Sequence, residues 1–418
     1  MKMLLRSGFP SFHDASVCKH RRMDSSAASL PATREYSARG RPRRPVRATS
    51  RRVRRVLLAA LAVVLVPAAI SYLATMAGRS NSSFGIRSVE WVRDHGGAGL
   101  VSKVESIYYS LNAPAKGGPA LHALPHTGLG ARGPGEHGSA GVIVDRPAPI
   151  APLSRNPLAG EGAWSPTYMG ESRSDPALLV TTFRSDPAEY PRLVAGVAWI
   201  NTSRTKIDLF AGRQEPAVEI PSRGPMEVPS SLRSRLIATF NSGFKLGDSH
   251  GGWAVGGHTY APLRDGQATF VRYTNGRYDV TSWHGGPSAG PTVAFARQNL
   301  PLLVEGGHDS PRLSNGAEWG ATLGNAVRVW RSGIGIDAHG NLLYAAANDQ
   351  TAGSLAHVLE HAGAVRAMEL DINAYWISFN TYAAPGALHP GKLLAETERP
   401  ATRYLEPDDR DFFAVFRR

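Results

Sequence analysis

Two carboxylates and an amide alternate along one segment in the C-terminal part of the chain. In AMELDINAYW, residues 367–376, Glu369, Asp371 and Asn373 are separated by apolar residues. Because successive side chains of a β-strand point to opposite faces, these three polar side chains would share one face. Two carboxyl groups on one face suit acid/base catalysis on a sugar. One carboxyl group donates a proton, and the other places negative charge near an oxocarbenium-like centre. A solvated strand face shows the same alternation and is the alternative explanation.

Two further segments combine a cation with small residues. In AVRVWRSGIGID, residues 326–337, Arg331 precedes Ser332 and Gly333. Glycine lets a ligand approach the backbone, and arginine can bind a phosphate through two parallel hydrogen bonds. In NSGFK, residues 241–245, an apolar run ends in small and polar residues beside a cation. The candidates in this second segment are Asn241, Ser242, Gly243 and Lys245. Both segments indicate an anion-binding site, and an ordinary glycine turn is the alternative for each.

The segment HVLEH, residues 357–361, has the spacing of an inverted zinc-protease motif. On a helix its two histidines lie one turn apart, and a third ligand would have to come from Glu396 or Glu398. The same helix carries an apolar stripe that includes Leu355 and Leu359 and supplies a core face. We therefore interpret the segment as structural and predict no metal site from it.

Calcium is the one cofactor that the sequence leaves open. The carboxylates of Asp248, Asp337 and Asp371 would supply oxygen ligands if folding brought them together. A glycine-rich segment, residues 333–338, imitates a dinucleotide-binding fingerprint. A turn and a predicted strand follow it, however, instead of the helix that would bind a pyrophosphate. We therefore expect no dinucleotide.

The elements that position these side chains are predicted to be mostly short β-strands. Apolar runs at 178–183 and 194–200 predict strands, and Asn275-Gly276 predicts a hairpin turn because both positions accept positive φ. One helix is predicted over 351–362, and a strand over 365–372 follows at once. This succession predicts an α+β fold with mixed or antiparallel sheets and few helices.

An uncharged run of 22 residues, Val56 to Ala77, follows a cluster of arginines. As a helix it measures about 33 Å, which is enough to cross a bilayer. The long preceding tail distinguishes the run from a signal peptide, so we predict an uncleaved single-span anchor over 56–77. The positive-inside rule then places residues 1–55 in the cytoplasm, as a disordered tail on anionic lipid, and everything after residue 78 outside the cell membrane.

The positive charge of the chain is concentrated in that tail. Residues 1–55 hold 15 Lys and Arg against 3 Asp and Glu, which is +12 of the net +13 and leaves +1 for the rest. A nearly neutral body lacks the positive field that binding to a phosphate backbone requires, so we predict no nucleic-acid partner. Because the single cysteine, Cys18, also lies in the tail, the rest of the chain forms no disulfide and no cysteine metal site.

Two segments of different character lie between the predicted anchor and the strand-rich region. Residues 78–111 contain two short apolar patterns separated by Gly96-Gly97, which is typical of two juxtamembrane helices. Residues 112–170 hold 11 Gly and 9 Pro and few large apolar side chains. This composition predicts a linker, because it cannot bury enough surface to offset the entropy of ordering. The extracytoplasmic domain is predicted over 171–418.

Three segments, taken in order, resemble the phosphodiester glycosidase family, whose members include the enzyme that removes N-acetylglucosamine from a phosphodiester. That family shows Asn-Gly-Gly-Phe-Phe, then Arg-Ser/Thr-x-x-Gly, then Leu-Asp-Gly-Gly-Gly-Ser. Here stand NSGFK at 241–245, RSGIG at 331–335 and LDIN at 370–373. The resemblance covers about residues 175–418 and fits a bacterial, membrane-anchored branch of the family. Ile372-Asn373 replaces the Gly-Gly of the family, and Lys245 replaces its second Phe.

The resemblance implies hydrolysis of a sugar-1-phosphodiester in cell-envelope or exported glycans such as exopolysaccharide. It implies Asp371 as the leading catalytic carboxylate, Glu369 as its partner and Arg331 as the cation that neutralises the phosphate. Asn241 would orient the phosphate or a sugar hydroxyl. The other substrate-binding candidates are Ser242, Gly243, Lys245, Ser332, Gly333 and Asn373. A non-catalytic module that binds an envelope glycan in the same cleft is the alternative function.

Overall fold

The computed structural model describes residues 46–129, 146–172, 174–319 and 328–418. The predicted basic tail therefore lies outside the described residues up to position 45. The described residues divide into two units, residues 46–66 and residues 67–418. The α-helices are α1 (Val46–Ala77), α2 (Phe84–Val92), α3 (Ala98–Leu111), α4 (Leu246–Ser249) and α5 (Ala352–His361).

Helix α1 contains the run that the sequence predicts as a membrane anchor. Its segment Arg51–Ala77 is long and apolar enough to cross a membrane. Large apolar side chains in this segment are exposed, and Val63 and Val56 retain 72% and 67% of their accessible surface. Such exposure suits contact with lipid tails. The orientation of the helix stays a prediction.

A break at Gly96 separates the two helices that follow α1. A kink, Arg93–Gly97, lies between α2 and α3. Within it Gly96 has a φ of 88°, a conformation that glycine adopts without steric cost. The side chain of Ser83 begins α2 by accepting a hydrogen bond from Ile86 N. Two helical segments are thus present between residues 78 and 111, divided at the predicted glycines.

The strands within the described residues form three sheets. In chain order they are β1 (Ser165–Pro166), β2 (Leu178–Arg184), β3 (Val194–Ile200), β4 (Thr205–Phe210), β5 (Leu236–Asn241), β6 (Trp253–Val255), β7 (His258–Ala261), β8 (Ala268–Tyr273), β9 (Tyr278–Ser282), β10 (Val293–Gln298), β11 (Leu302–Glu305), β12 (His308–Asp309), β13 (Val329–Asp337), β14 (Leu342–Gln350), β15 (Ala364–Glu369), β16 (Phe379–Ala384), β17 (Leu388–Lys392) and β18 (Phe412–Arg417). The largest sheet has the order β1-β2-β3-β14-β13-β15-β11-β12. The two five-stranded sheets have the orders β7-β6-β10-β8-β9 and β17-β16-β5-β18-β4.

The predicted α+β class is confirmed. The apolar runs at 178–183 and 194–200 are β2 and β3, and Asn275-Gly276 lies in the turn between β8 and β9. The paired strands of the three sheets are antiparallel. Short connections between consecutive strands make such pairing possible.

Helix α5 covers one face of the eight-stranded sheet. Thr351 and Ser354 form a reciprocal capping box at its N-terminus, and Gly363, with a φ of 99°, follows its end. Leu355 and Leu359 are fully buried against this face. We call the apolar cluster on this side the α5-side core; its members include Phe183, Trp199, Leu303, Trp319, Leu343, Leu355, Val358 and Leu359.

The opposite face of the large sheet packs against the two smaller sheets. We call this cluster the inter-sheet core; its members include Ile237, Phe240, Phe270, Phe295, Ile334, Tyr344, Met368, Leu370 and Phe413. Because the large sheet is covered on both faces, the side chains of its central strands are buried on either side. Any polar side chain on these strands must therefore find a partner inside the protein.

Residues 146–170, which fall in the predicted linker, pack against the strand-rich domain. Glu161 forms a buried ion pair with Arg184 of β2, with Arg184 Nη2 2.8 Å from Glu161 Oε2. Ile150 and Trp164 are buried and belong to the α5-side core. Residues 130–145 of the predicted linker lie outside the described residues. The packing of the domain thus includes residues before its predicted start at 171.

Candidate functional site

Asp371 lies just beyond β15, where backbone pairing with β13 holds it. Ser332 N donates to Asp371 O at 2.9 Å, and Asp371 N donates to Ser332 Oγ at 3.2 Å. The carboxylate accepts hydrogen bonds from Asn373 N at 3.0 Å through Oδ1 and from Arg410 Nη2 at 3.2 Å through Oδ2. The side chain is 4% exposed. Its position is therefore fixed by a neighbouring strand, by the following turn and by one cation.

The acidity of Asp371 is shifted toward neutral pH. Removal of the carboxyl group from water raises its pKa from the ordinary 3.8 to about 6, and the charge of Glu90 adds to the rise. Arg410 and the hydrogen bond from Asn373 N lower the pKa and limit the shift. A carboxyl group that titrates near neutral pH can act in either protonation state, which is a common property of catalytic carboxyls.

Arg410 is a residue of this site that the sequence analysis missed. It belongs to a run of four charged residues, Asp408-Asp409-Arg410-Asp411, directly before β18. Besides Asp371, its Nη2 donates to Gly243 O at 3.2 Å, and its guanidinium lies 5.1 Å from the ring centroid of Trp376. Arg410 thus joins the NSGFK and LDIN segments. The signal that could have identified it is this dense run of charges beside a buried strand.

Arg331 and Glu369 form a buried ion pair of their own. Arg331 Nη1 lies 2.6 Å from Glu369 Oε1, and both side chains are 0% exposed. Arg331 also donates from Nε to Gln350 O at 3.0 Å and from Nη1 to Trp319 O at 3.4 Å. Burial raises the pKa of Glu369, and Arg331 counteracts this rise. The cation bonded to the Asp371 carboxylate is therefore Arg410, while Arg331 serves an internal pair.

Strand β13 directs alternate side chains to opposite faces of the large sheet. A Cβ on Gly333 would lie 2.8 Å from Leu359 Cδ1, which places Gly333 on the side of the α5-side core. Ile334 belongs to the inter-sheet core. The missing side chain of Gly333 therefore makes room for α5. By the same alternation Arg331 lies on the α5 side and Ser332 on the inter-sheet side.

Asn241 and Ser332 take part in a buried hydrogen-bond network on the inter-sheet side. Asn241 Nδ2 donates to Ser332 Oγ at 3.1 Å, and Asn241 Oδ1 accepts from the Tyr344 hydroxyl at 2.8 Å and from Ser378 N at 3.1 Å. The Ser332 hydroxyl in turn contacts the main chain of Asp371. The structure thus brings Asn241 and Ser332 to Asp371 as groups that orient its backbone.

Ser242 and Gly243 follow β5 and border the Asp371–Arg410 pair. Ser242 Oγ is buried and has no hydrogen-bond partner among the described residues. A Cβ on Gly243 would lie 3.0 Å from Asn299 Cγ, so glycine brings the chain close to this amide. Asn299 Nδ2 donates to Glu369 O at 2.7 Å. The segment therefore lies against the strand that precedes Asp371.

Lys245 is covered by α2 and by the kink at Arg93–Gly97. Its Nζ forms an ion pair with Glu90 and lies 3.0 Å from Asp94 Oδ1. Ser83 N donates to the Tyr375 hydroxyl at 3.2 Å. The segment between α1 and α3 therefore covers one side of the candidate site, and Lys245 is paired with acidic groups there.

The polar residues of AMELDINAYW do not share a solvated face. Glu369 and Asp371 are buried and pair with different arginines. Asn373 Oδ1 accepts a hydrogen bond from Tyr375 N at 3.0 Å, which closes a turn. The solvated-face alternative is thus wrong, because the sheet is covered on both sides. Strand β15 ends at Glu369, earlier than the predicted end at 372.

The three carboxylates considered for Ca²⁺ do not converge. Asp248 is exposed in α4, and Asp337 accepts hydrogen bonds from its own turn, such as that from His339 N at 2.8 Å. Asp371 is bonded to Arg410. Within the described residues, the metal-ligating groups that lie within 4.8 Å of one another are those of Asp309, His357 and Glu360.

Comparisons with known proteins give distant similarities in fold. No protein-family model matches the chain, and no curated protein matches its sequence. The catalytic domain of a zebrafish N-acetylglucosamine-1-phosphodiester alpha-N-acetylglucosaminidase, auto-inhibited by its pro-peptide, is 15% identical, with a TM-score of 0.37, over 59% of this chain and 86% of that chain. A hypothetical protein from Synechocystis is 13% identical, with a TM-score of 0.34, over 54% of this chain and 59% of its own. A Burkholderia pseudomallei protein described as exported is 13% identical, with a TM-score of 0.32, over 54% of this chain and 74% of its own. Similarities this weak leave the function to be argued from the site.

Proposed function

We propose that this protein hydrolyses a sugar-1-phosphodiester and releases a sugar and a phosphomonoester. The observation that carries the proposal is the Asp371–Arg410 pair, a buried carboxyl group with a pKa of about 6 held 3.2 Å from a guanidinium. When the bond between C1 of the sugar and the phosphate oxygen breaks, positive charge develops on the sugar and negative charge on the phosphate. A carboxylate beside a guanidinium offers one stabilising partner for each charge.

The roles follow from these charges. Ionised Asp371 stabilises the developing oxocarbenium-like centre, and Arg410 binds the phosphate through its fork of N–H donors. Arg410 thereby takes the phosphate-binding role that the motif resemblance implies for Arg331. The Arg331–Glu369 pair holds the end of β15, and so it positions Asp371 through the main chain. Lys245 is paired with Glu90 and Asp94, so Arg410 is the cation assigned to the phosphate.

Water completes the reaction. Its oxygen forms the new bond to C1, one of its protons is released, and the phosphate leaves with the electrons of the broken C–O bond. Because a phosphate monoester is a good leaving group, electrostatic stabilisation contributes more than proton donation. One carboxylate, Asp371 beside Arg410, can therefore serve the reaction while Glu369 stays paired with Arg331.

A specific observation also supports the alternative function, a non-catalytic glycan-binding module. The Asp371 carboxylate accepts hydrogen bonds from Arg410 and from Asn373 N, as carboxylates in purely structural ion pairs do. In that case Arg410 would bind the charge of a phosphorylated sugar without turnover.

The test is release of free sugar from a panel of sugar-1-phosphodiesters by the full-length protein in detergent micelles. We expect Asp371→Asn and Arg410→Gln each to lower the rate by about 100-fold or more, since each removes a charge that stabilises the transition state. Glu305→Gln, which changes an exposed carboxylate at the end of β11, serves as the matched control with an unchanged rate. Equal rates for the wild type and Asp371→Asn would disprove the catalytic role. No turnover together with saturable, Arg410-dependent glycan binding would establish the binding module.

A further inference from the structure

A second cluster of ligating side chains lies on α5 and shares no residue with the site around Asp371. One ligand atom each of Asp309, His357 and Glu360 lies within 4.8 Å of the others. His357 Nε2 is 2.9 Å from Asp309 Oδ2, and His308 Nδ1 is 3.8 Å from Glu360 Oε1. One imidazole and two carboxylates from two different elements therefore meet at one place on the surface, and a second imidazole, that of His308, lies beside Glu360.

The backbone fixes the positions of these four residues. His357 and Glu360 are three positions apart on α5, which puts them on one face of the helix. The buried Leu355 and Leu359 hold that helix against the sheet. His308 and Asp309 form β12, which pairs with β11 through the register Val304↔Asp309 and Glu305↔His308. Two anchored elements thus present the ligand atoms without a rearrangement of the chain.

The charges of the cluster favour a cation. Within the described residues, the ion-pair partners of Asp309 and Glu360 are histidines, whose imidazoles are neutral when they bind a metal. Asp309 Oδ1 is buried and has no hydrogen-bond partner among the described residues. An oxygen atom without a partner inside the protein points to a missing ligand.

Of the three residues with zinc-protease spacing in 357–361, His357 and Glu360 belong to the cluster and His361 does not. His361 Nε2 lies 2.6 Å from Ala151 O, and its ring centroid lies 5.7 Å from that of Phe183. This second histidine of the motif is therefore engaged by another part of the domain. The hairpin residues of β12 take its place beside His357 and Glu360, which is an arrangement that the sequence spacing could not reveal.

We propose that Asp309, His357 and Glu360, with His308 as the fourth ligand, bind a divalent transition-metal ion of the Zn²⁺ class. Mixed imidazole and carboxylate donors suit Zn²⁺, whereas Ca²⁺ and Mg²⁺ take oxygen ligands. The ion joins α5 to the β11–β12 hairpin. His357 and Glu360 also line a cavity of about 710 Å³, so water or a small anion can reach the ion.

Binding is tested with the full-length protein in detergent micelles, free of any histidine tag and stripped of metal with EDTA. After equilibrium dialysis against micromolar ZnCl₂, mass spectrometry of the metal content should give one Zn²⁺ per chain, and the melting temperature should rise. His357→Ala and Asp309→Asn should each weaken binding by about tenfold or more, because each removes one ligand. His361→Ala, on the same helix, is the matched control and should keep the wild-type affinity.

A second readout separates loss of a ligand from loss of the fold. Co²⁺ bound in place of Zn²⁺ should give visible absorption bands in the wild type and in His361→Ala, and weaker bands in His357→Ala. The metal-free variants should melt at the temperature of the metal-free wild type. No stoichiometric Zn²⁺ in the wild type, or equal affinity in the wild type and His357→Ala, would overturn the proposal.

Discussion

The chemistry at Asp371 depends on a balance between burial and charge. Burial raises the pKa of this carboxyl group, whereas Arg410 and the turn at Asn373 lower it. At a pKa of about 6 the group is mostly ionised at neutral pH, although it is almost completely removed from water. An ionised carboxylate in a poorly solvated site interacts strongly with a developing positive charge, since water does not screen it.

Asp371 should make the stability of the fold depend on pH. Its pKa is about 6 in the folded protein and 3.8 ordinarily, so between these values the folded state keeps a proton that the unfolded state releases. The free energy of unfolding therefore falls as pH rises from about 4 to about 6, by about 3 kcal/mol from this group. We expect the difference in melting temperature between the wild type and Asp371→Asn to change over this range and to be constant above about pH 7. A difference that is the same from pH 4 to pH 8 would contradict the raised pKa.

The Arg331–Glu369 pair should behave as one unit in stability. Glu369→Gln removes the negative charge that Glu369 places beside the buried Arg331 guanidinium, and we expect it to lower the free energy of unfolding by about 3–5 kcal/mol. The double variant Arg331→Met, Glu369→Gln should be less destabilised than the sum of the two single variants. Urea unfolding of the four proteins measures the coupling, and strict additivity would show that the two side chains do not depend on each other.

At the scale of elements, the site is formed where strand ends from different sheets meet. Strands β2 and β3 and helix α5 could be predicted from the sequence, because apolar runs and capping residues are local signals. The partners of Asp371 could not, because Arg410 lies 39 residues further along the chain and only the pairing of sheets brings it near. The sequence also does not show which side chains of β13 face α5, because the alternation of side chains along a strand does not say which face of the sheet a helix covers.

Gly333 should be required for the packing of α5. A Cβ at this position would lie 2.8 Å from Leu359 Cδ1 and 2.9 Å from Met368 O, so Gly333→Ala should lower the free energy of unfolding by about 1–3 kcal/mol. Gly353 in the first turn of α5 is the matched control, because a Cβ there would be 3.8 Å from its nearest neighbour. Gly353→Ala should raise stability by up to about 1 kcal/mol through helix propensity. Thermal melting of both variants measures whether stability falls in Gly333→Ala and rises in Gly353→Ala. An unchanged melting temperature of Gly333→Ala would show that α5 does not need a glycine at this position.

Helix α2 should influence the acidity of the site. The charge of Glu90 raises the pKa of Asp371, so Glu90→Gln should lower it. If sugar release requires ionised Asp371, the rate of the variant should remain high to a lower pH than that of the wild type. Glu105→Gln is the control: it changes a carboxylate on α3 that is paired with Arg93, and its rate should depend on pH as that of the wild type does. A profile of Glu90→Gln that is unchanged or shifted to higher pH would show that α2 does not act on Asp371.

At the scale of the whole molecule, the charge and the apolar helix divide the chain into parts with different surroundings. The segment Arg51–Ala77 is long and apolar enough to span a membrane, and residues 1–55 carry +12 of the net charge of +13. From these two features we propose that the tail is cytoplasmic and the domain extracytoplasmic. A sugar phosphodiester in an exported or envelope glycan would then be within reach of the domain.

The single cysteine provides a direct test of this orientation. Because Cys18 is the only cysteine, a membrane-impermeant maleimide should label it only after the cell membrane is permeabilised. In the variant Cys18→Ser, Asn275→Cys, the thiol lies in the exposed turn between β8 and β9 and should be labelled while the membrane is intact. Labelling of Cys18 in cells with an intact membrane would reverse the proposed orientation.

In the proposed hydrolysis, water attacks the sugar carbon and the bond between C1 and the phosphate oxygen breaks. The most direct measurement is hydrolysis of a sugar-1-phosphodiester by the full-length protein in H₂¹⁸O, with mass spectrometry of both products. We predict that ¹⁸O appears in the released sugar and not in the phosphomonoester, and that Asp371→Asn abolishes the incorporation. Incorporation of ¹⁸O into the phosphate would mean cleavage of the P–O bond, and it would contradict the glycosidase account.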